Sequence, residues 1–162
     1  MEGRKIFPVV AVAVGVAVAV GVFGLRRAEG VEPVNKKSDG LALRGYDAVA
    51  YFREGREAEG RAEFEHTWNG ARWHFKTAEN RDAFVREPEA YAPRYGGYCS
   101  YAVAHGYTAD GDPRAWKIVD GRLYLNYSVQ VRELWEQDIP GYLQKSEINW
   151  PRFLKHRPEH KG

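Results

Sequence analysis

The chain has 162 residues, of which 44% are hydrophobic, 28% charged and 14% aromatic, a composition that suits one domain of ordinary size with extensions. Its 24 basic and 22 acidic residues interleave and leave a net charge of +2, so no basic stripe exists for a nucleic acid and none is expected as a partner. A single cysteine, Cys99, excludes an internal disulfide and any Cys-x-x-Cys zinc or redox motif.

Residues 1–5 read as a basic n-region, with Arg4 and Lys5 ahead of the uncharged run IFPVVAVAVGVAVAVGVFGL over residues 6–25. About twenty apolar residues at ~1.5 Å rise span a hydrocarbon core of ~30 Å, and Pro8 and the glycines are tolerated in a membrane helix. A cleaved signal segment is the alternative. Its apolar region is shorter, about 7–15 residues, and Arg26 and Arg27 stand where the small residues of a cleavage site belong. Arg4 and Lys5 argue for an inside N-terminus, whereas Arg26, Arg27, Lys36 and Lys37 count the other way. The expectation adopted is a single-pass protein of the inner or cell membrane, held through its N-terminal helix. Its domain then lies on the extracytoplasmic (periplasmic) side.

Residues 26–40 are polar, carry Gly30 and Pro33, and read as a tether. No internal repeat is read beyond it. The domain proper is expected over residues 41–150. It opens with LALRGYDAVAYF, where Leu41, Leu43, Val49 and Tyr51 alternate as in an extended segment around a Gly45-Tyr46-Asp47 turn. AEFEHTWNGARWHFKT predicts a hairpin with a type I′ Asn69-Gly70 turn. With Trp68 opposite Ala71, His66 faces Trp73, and His66 and His74 point to opposite faces. Thr77 caps a helix AENRDAFVRE whose main core residue is Phe84, and Pro88 ends it. A short turn near Tyr91, a glycine pair at 96–97 and a short helix ending at Gly106 come next. RAWKIVDGRLYLNY predicts a second hairpin around Asp120-Gly121, with Trp116, Ile118, Leu123 and Leu125 on one face and Tyr124 on the other. Ser128 caps a helix with Val131, Leu134 and Trp135 on its buried stripe. Pro140 stops or bends that helix, and a last helical stretch carries Leu143, Ile148 and Trp150. Residues 151–162 read as a flexible basic tail, where Pro158 separates His156 from His160. The fold class is α+β: antiparallel hairpins, in one sheet if they pair, packed with short helices.

The run WHFKTAENRDAFVREPEAY, residues 73–91, has the frame aromatic-x-Phe, a polar pair, a helix ending in Phe84, then Pro88 and Tyr91. That frame resembles the YHS domain, a small metal-handling module, in its solitary, exported or membrane-anchored form. In metal-binding members the Phe is followed by Cys-Ser-x-x-Cys, and the domain opens with Asp-Pro-x-Cys-Gly. Here Lys76 and Asn80 take the two cysteine positions of Cys-Ser-x-x-Cys, and neither is a ligand for a soft metal at neutral pH. Asp47 matches the opening Asp, and Ala48 and Val49 replace the Pro and the cysteine segment of that opening. The resemblance implies a YHS-like α+β module associated with metal binding or trafficking.

Cys99, in Tyr95-Gly-Gly-Tyr-Cys-Ser-Tyr, stands at the start of a predicted helix, where the helix dipole lowers a thiol pKa. Such a thiolate suits Cu(I); the alternative is a small buried hydrophobe. His105, six residues on, is a second ligand only if the helix bends. No nucleophile, phosphate loop or zinc signature is present, so no catalytic residue is assigned. Two functions are expected. In the first, the tethered domain binds or traffics a soft metal such as copper through Cys99 and His105. In the second, a non-catalytic module holds a small ligand or a protein on an aromatic surface around Tyr46, Asp47, Tyr95, Tyr98 and Tyr101.

Overall fold

The computed structural model describes residues 30–155; the apolar run 6–25, Arg26, Arg27, His156 and His160 lie outside the described residues. No helix among the described residues is long and apolar enough to cross a membrane. The elements are α1 (Ala50–Arg53), β1 (Arg61–Trp68), β2 (Ala71–Phe75), α2 (Ala78–Arg86), α3 (Pro88–Tyr91), α4 (Ser100–Ala104), β3 (Asp112–Val119), β4 (Arg122–Asn126), α5 (Val129–Glu136) and α6 (Ile139–Lys155). The fold is α+β, as expected. The hairpins do not merge, however: β1 pairs only with β2, and β3 only with β4, in two separate antiparallel sheets.

Local sequence accounts for both hairpins. Asn69-Gly70 and Asp120-Gly121 all take positive φ, the requirement of a type I′ turn. Thr77 Oγ1 accepts the Asn80 amide at 3.2 Å, and Ser128 Oγ accepts that of Val131 at 3.3 Å, so both expected caps form. The first ladder has the expected register, with His66 opposite Trp73 and Trp68 opposite Ala71.

A duplication that the linear reading missed organises the chain. Ladder partners in the second hairpin lie 51 positions after those in the first: Trp68–Ala71 becomes Val119–Arg122, and Glu65–His74 becomes Trp116–Leu125. Both first strands break register at the same place, between Arg61 and Glu65 and between Asp112 and Trp116. The ring pair Trp73–Phe84, with centroids 4.9 Å apart at 35°, recurs as Tyr124–Trp135 at 5.5 Å and 38°. Upstream, the left-handed turn Leu43–Gly45 recurs as Tyr95–Gly97. The Asp47 amide donates to Ala58 O at 2.9 Å, and the Cys99 amide to Ala109 O at 2.8 Å. Only shape-setting positions recur, in chemically similar forms such as Thr and Ser or Phe and Trp. Residue identity along the chain therefore does not display the repeat.

Two cores result. The first gathers Leu43, Val49, Tyr51, Trp73, Phe75, Phe84, Leu123 and Leu125; the second gathers Tyr95, Val103, Tyr124 and Trp135. Strand β4 serves both, with Leu123 and Leu125 in one and Tyr124 in the other. The Leu43–Tyr51 segment is not extended: Leu43 and Arg44 are left-handed, and α1 follows. On α5, Trp135 is fully buried but Leu134 is 46% exposed, because it lies one helical step off the Val131–Trp135 line. Pro140 opens α6 at its second residue rather than ending α5, a position where no intrahelical N–H is lost. Asn149 Nδ2 donates to Val103 O at 2.9 Å and Ala104 O at 3.2 Å, fastening α6 over the end of α4.

Part of the expected tether belongs to the packed body. Val34 is 3% exposed, the Val31 amide donates to Phe153 O at 3.3 Å, and that of Asn35 to Gly96 O at 2.8 Å. Residues 31–36 thus form a strap across the two halves. A Cβ at Gly96 would collide with the Pro33 carbonyl, and its φ is +60°. Gly96→Ala is expected to lower stability by about 2 kcal/mol or more in urea unfolding. Gly106→Ala, at φ +85° but in open space, should cost about 1 kcal/mol from backbone conformation alone.

Candidate functional site

Asp47 and Cys99 occupy equivalent places in the two halves, one residue before the turn that starts a short helix. Asp47 is fully buried. Its Oδ1 accepts the amides of Val49 at 2.8 Å and Ala50 at 3.2 Å, and its Oδ2 accepts the Lys76 amide at 2.8 Å and Asn80 Nδ2 at 2.7 Å. Asn80 Oδ1 in turn accepts from Arg53 at 2.9 Å. Ala50, Lys76 and Asn80 are the three positions at which the YHS resemblance places cysteines. They converge in space, and here they converge on a carboxyl.

Cys99 is 1% exposed. Burial pushes its thiol above the ordinary range, while the N–H groups of Ala102, Tyr127 and Tyr101 pull the other way with less effect. The expected lowering by a helix terminus is thus overturned, since α4 has only five residues and desolvation penalises a buried thiolate more. Tyr101, Ala102 and Tyr127 stand where Val49, Ala50 and Lys76 stand around Asp47. The thiol donates weakly to Asn126 Oδ1 at 3.8 Å, which also accepts the Tyr101 amide at 3.1 Å. Asn126 Nδ2 and Ser100 Oγ, also buried, find no protein partner among the described residues.

His105 sits at the other end of α4. It is exposed, its Nδ1 lies 2.7 Å from Tyr101 O, and its ring stacks 4.2 Å from that of Tyr101. Among the described residues no group of three His, Cys, Asp or Glu could hold a metal ion.

Tyr95, Tyr98 and Tyr101 gather around the second core, apart from Tyr46. Tyr46 is half-buried against the first core. Tyr95 is buried, and its hydroxyl donates to Glu147 Oε1 at 3.1 Å; burial and Glu147 push its pKa well above the ordinary phenol value. Tyr98 packs 5.9 Å from Trp150, whereas Tyr101 faces Tyr142 at 5.2 Å.

What the fold does assemble is a groove of about 360 Å³ where the two hairpin tips meet the strap and the end of α6. Trp68 and Trp150, both half-buried, and the buried Trp73 line it, with Arg94, Arg122 and Glu89 supplying its charges. Trp73 Nε1 donates to Trp68 O at 3.0 Å, which holds the tip of the first hairpin. Trp150 is braced by Tyr95 and Tyr98, each 5.9 Å away. Arg94 is held by Glu147 at 3.0 Å and by the face of Tyr95, 5.8 Å from its Cζ. Arg122 makes no side-chain hydrogen bond or ion pair among the described residues. A second hollow of about 240 Å³ shares Glu89, Ala92, Arg94 and Arg122 and reaches the Asp120-Gly121 turn.

The groove was invisible along the sequence. Trp68 and Arg122 flank the two Gly-containing turns, the one signal that could have marked them as tip residues, but nothing local says that the tips converge. Compared with known protein families, curated proteins and solved structures, the chain finds no match.

Asp47→Ala, which orphans four donors, should cost about 3 kcal/mol or more in urea unfolding. The Cys99 thiol holds its proton more tightly in the folded than in the unfolded chain. Its contribution to stability is therefore complete below the ordinary thiol range and lost as pH rises through the elevated folded-state value. An aromatic disulfide reagent at pH 8 is expected to label Cys99 only at the rate of unfolding. Labelling of native protein as fast as that of the urea-unfolded chain would contradict this burial.

Proposed function

We propose that this chain is a membrane-tethered, extracytoplasmic module of YHS-like build that binds a small organic ligand without chemically transforming it. The observation that carries the reading is the groove between the duplicated halves, walled by two half-buried tryptophans and supplied with two guanidinium groups. A volume of about 360 Å³ lies in the range of small-molecule sites, which combine apolar walls with a few fixed polar groups. The groove lining contains no Ser, Cys, His or Lys and a single carboxylate, Glu89, so it offers binding and orientation without a pair of acid–base side chains.

Support for the YHS-like build comes from the meeting of the Ala50 and Lys76 amides and the Asn80 side chain on Asp47. Three positions scattered over the sequence meet around one buried point, where a carboxyl takes up their N–H groups in place of an ion. The tether reading sets a distance. From Leu25 to Pro33 the chain advances eight residues, a reach of at most about 28 Å, so a tethered domain presents the strap side of the groove close to the membrane surface.

The copper reading has less behind it. Cys99 is buried in the place of a structural carboxyl, and His105 is exposed at the far end of α4. Bringing both to one ion requires unfolding that helix. Native mass spectrometry of the full chain, released from membranes of expressing cells in mild detergent, separates the two readings. An organic adduct that is diminished in Arg122→Gln, an exposed position whose loss leaves the fold intact, is the expected result. A copper adduct that disappears in Cys99→Ser and persists in Arg122→Gln would overturn it.

A further inference from the structure

We infer that the ligand of this groove is an aromatic carboxylate, a flat one- or two-ring body carrying a single carboxylate; the inference rests on the groove being a binding site at all. Three features select that class, namely the tryptophans of the lining, a guanidinium already oriented and a second guanidinium without an ion pair among the described residues.

The apolar lining joins Trp68, Trp73 and Trp150 to smaller aliphatic side chains such as Val34 and Leu154. Half-buried Trp68 and Trp150 line the groove, and a planar body stacked on an indole gains dispersion and quadrupole contact that an aliphatic chain of the same volume does not. The volume holds one or two fused rings with a short substituent and excludes a folded peptide or a two-chain lipid.

The main groove carries two guanidinium groups and one carboxylate, Glu89, and a second carboxylate, Glu147, already pairs with Arg94, which leaves Arg122 as the guanidinium without an ion pair among the described residues. Arg94 is already oriented by Glu147 and Tyr95, so little side-chain freedom is lost when it is used. Arg122 lies near the neutral Tyr124 hydroxyl but has no side-chain hydrogen bond or ion pair to surrender among the described residues, and a ligand carboxylate gives it one. Guanidinium and carboxylate match as planar donor and acceptor forks, and such charge-assisted hydrogen bonds are stronger than neutral ones. A cationic aromatic could stack equally well and approach Glu89, but it would meet both guanidinium groups. A neutral aromatic keeps the stacking and loses the charge pairing.

The test uses the full chain in lipid nanodiscs with 5-fluorotryptophan at its five Trp positions. Fluorine resonances are assigned by single Trp→Phe variants. Three probes of matched ring system are titrated: indole-3-acetate, uncharged indole and cationic tryptamine. The Trp68 and Trp150 resonances are expected to respond to indole-3-acetate at a concentration about tenfold lower than to the other two. Arg122→Gln should erase that preference while the buried Trp135 resonance stays in place as a reporter of folding. If indole or tryptamine moves Trp68 and Trp150 as readily as indole-3-acetate, the carboxylate assignment fails and the groove stands as a binding site of another class. If none of the three moves them while Trp135 reports folded protein, the aromatic-carboxylate class is overturned. The organic adduct sought by mass spectrometry then decides the groove separately.

Discussion

The buried carboxyl of Asp47 is the interaction on which the first half of the molecule depends. A single side chain caps α1 through Val49 and Ala50, ties the end of β2 through the Lys76 amide, and fixes α2 through Asn80. Four donors that would otherwise be buried without partners are satisfied at one point, which is why the segment around it can be fully enclosed. The second half repeats the arrangement with a weaker centre. A thiol and the Asn126 amide divide the work of the carboxyl, and two buried polar atoms beside them remain without a protein partner. Cys99 is best understood through this correspondence, as a small buried acceptor set among amide groups rather than as a reactive thiol.

Duplication also explains the position of the groove. Each half is a hairpin with a capped helix packed on it, a unit too small to bury its apolar face alone. The halves join through β4, whose Leu123 and Leu125 complete the first core while Tyr124 enters the second. Joining two such units leaves their hairpin tips side by side, and the strap and α6 close the rim. The strap depends on Gly96, where the backbone of Pro33 passes too close for any side chain. Groove-lining residues therefore come from five separated stretches of chain.

Much of the local structure was legible along the chain. Asn69-Gly70, Asp120-Gly121, Thr77 and Ser128 each act within a few residues through backbone conformation or a single capping bond. Their elements consequently form as expected, with the register that the turns impose. Less legible were features set by distant neighbours. Leu43 and Arg44 adopt positive φ although neither residue favours it, because the turn they build must deliver Asp47 to Lys76 and Asn80. Leu134 looked like a core residue by composition and is exposed, since α5 buries only the line containing Trp135. The candidate sites divided in the same way. Cys99 was correctly placed at a helix start, but its burial and raised pKa come from packing that no local motif encodes.

The amino-acid sequence alone determined the α+β class, both hairpins and their turns, both capped helices and the exclusion of disulfides, because each rests on interactions between residues close in the chain. Tertiary structure alone decided that the hairpins stay in separate sheets, that the chain repeats itself 51 positions on, and that Trp68, Arg94, Arg122 and Trp150 share one groove. Those outcomes depend on which apolar faces find each other once the elements exist. Burial is non-directional and indifferent to sequence separation, so the linear order of residues carries no mark of it.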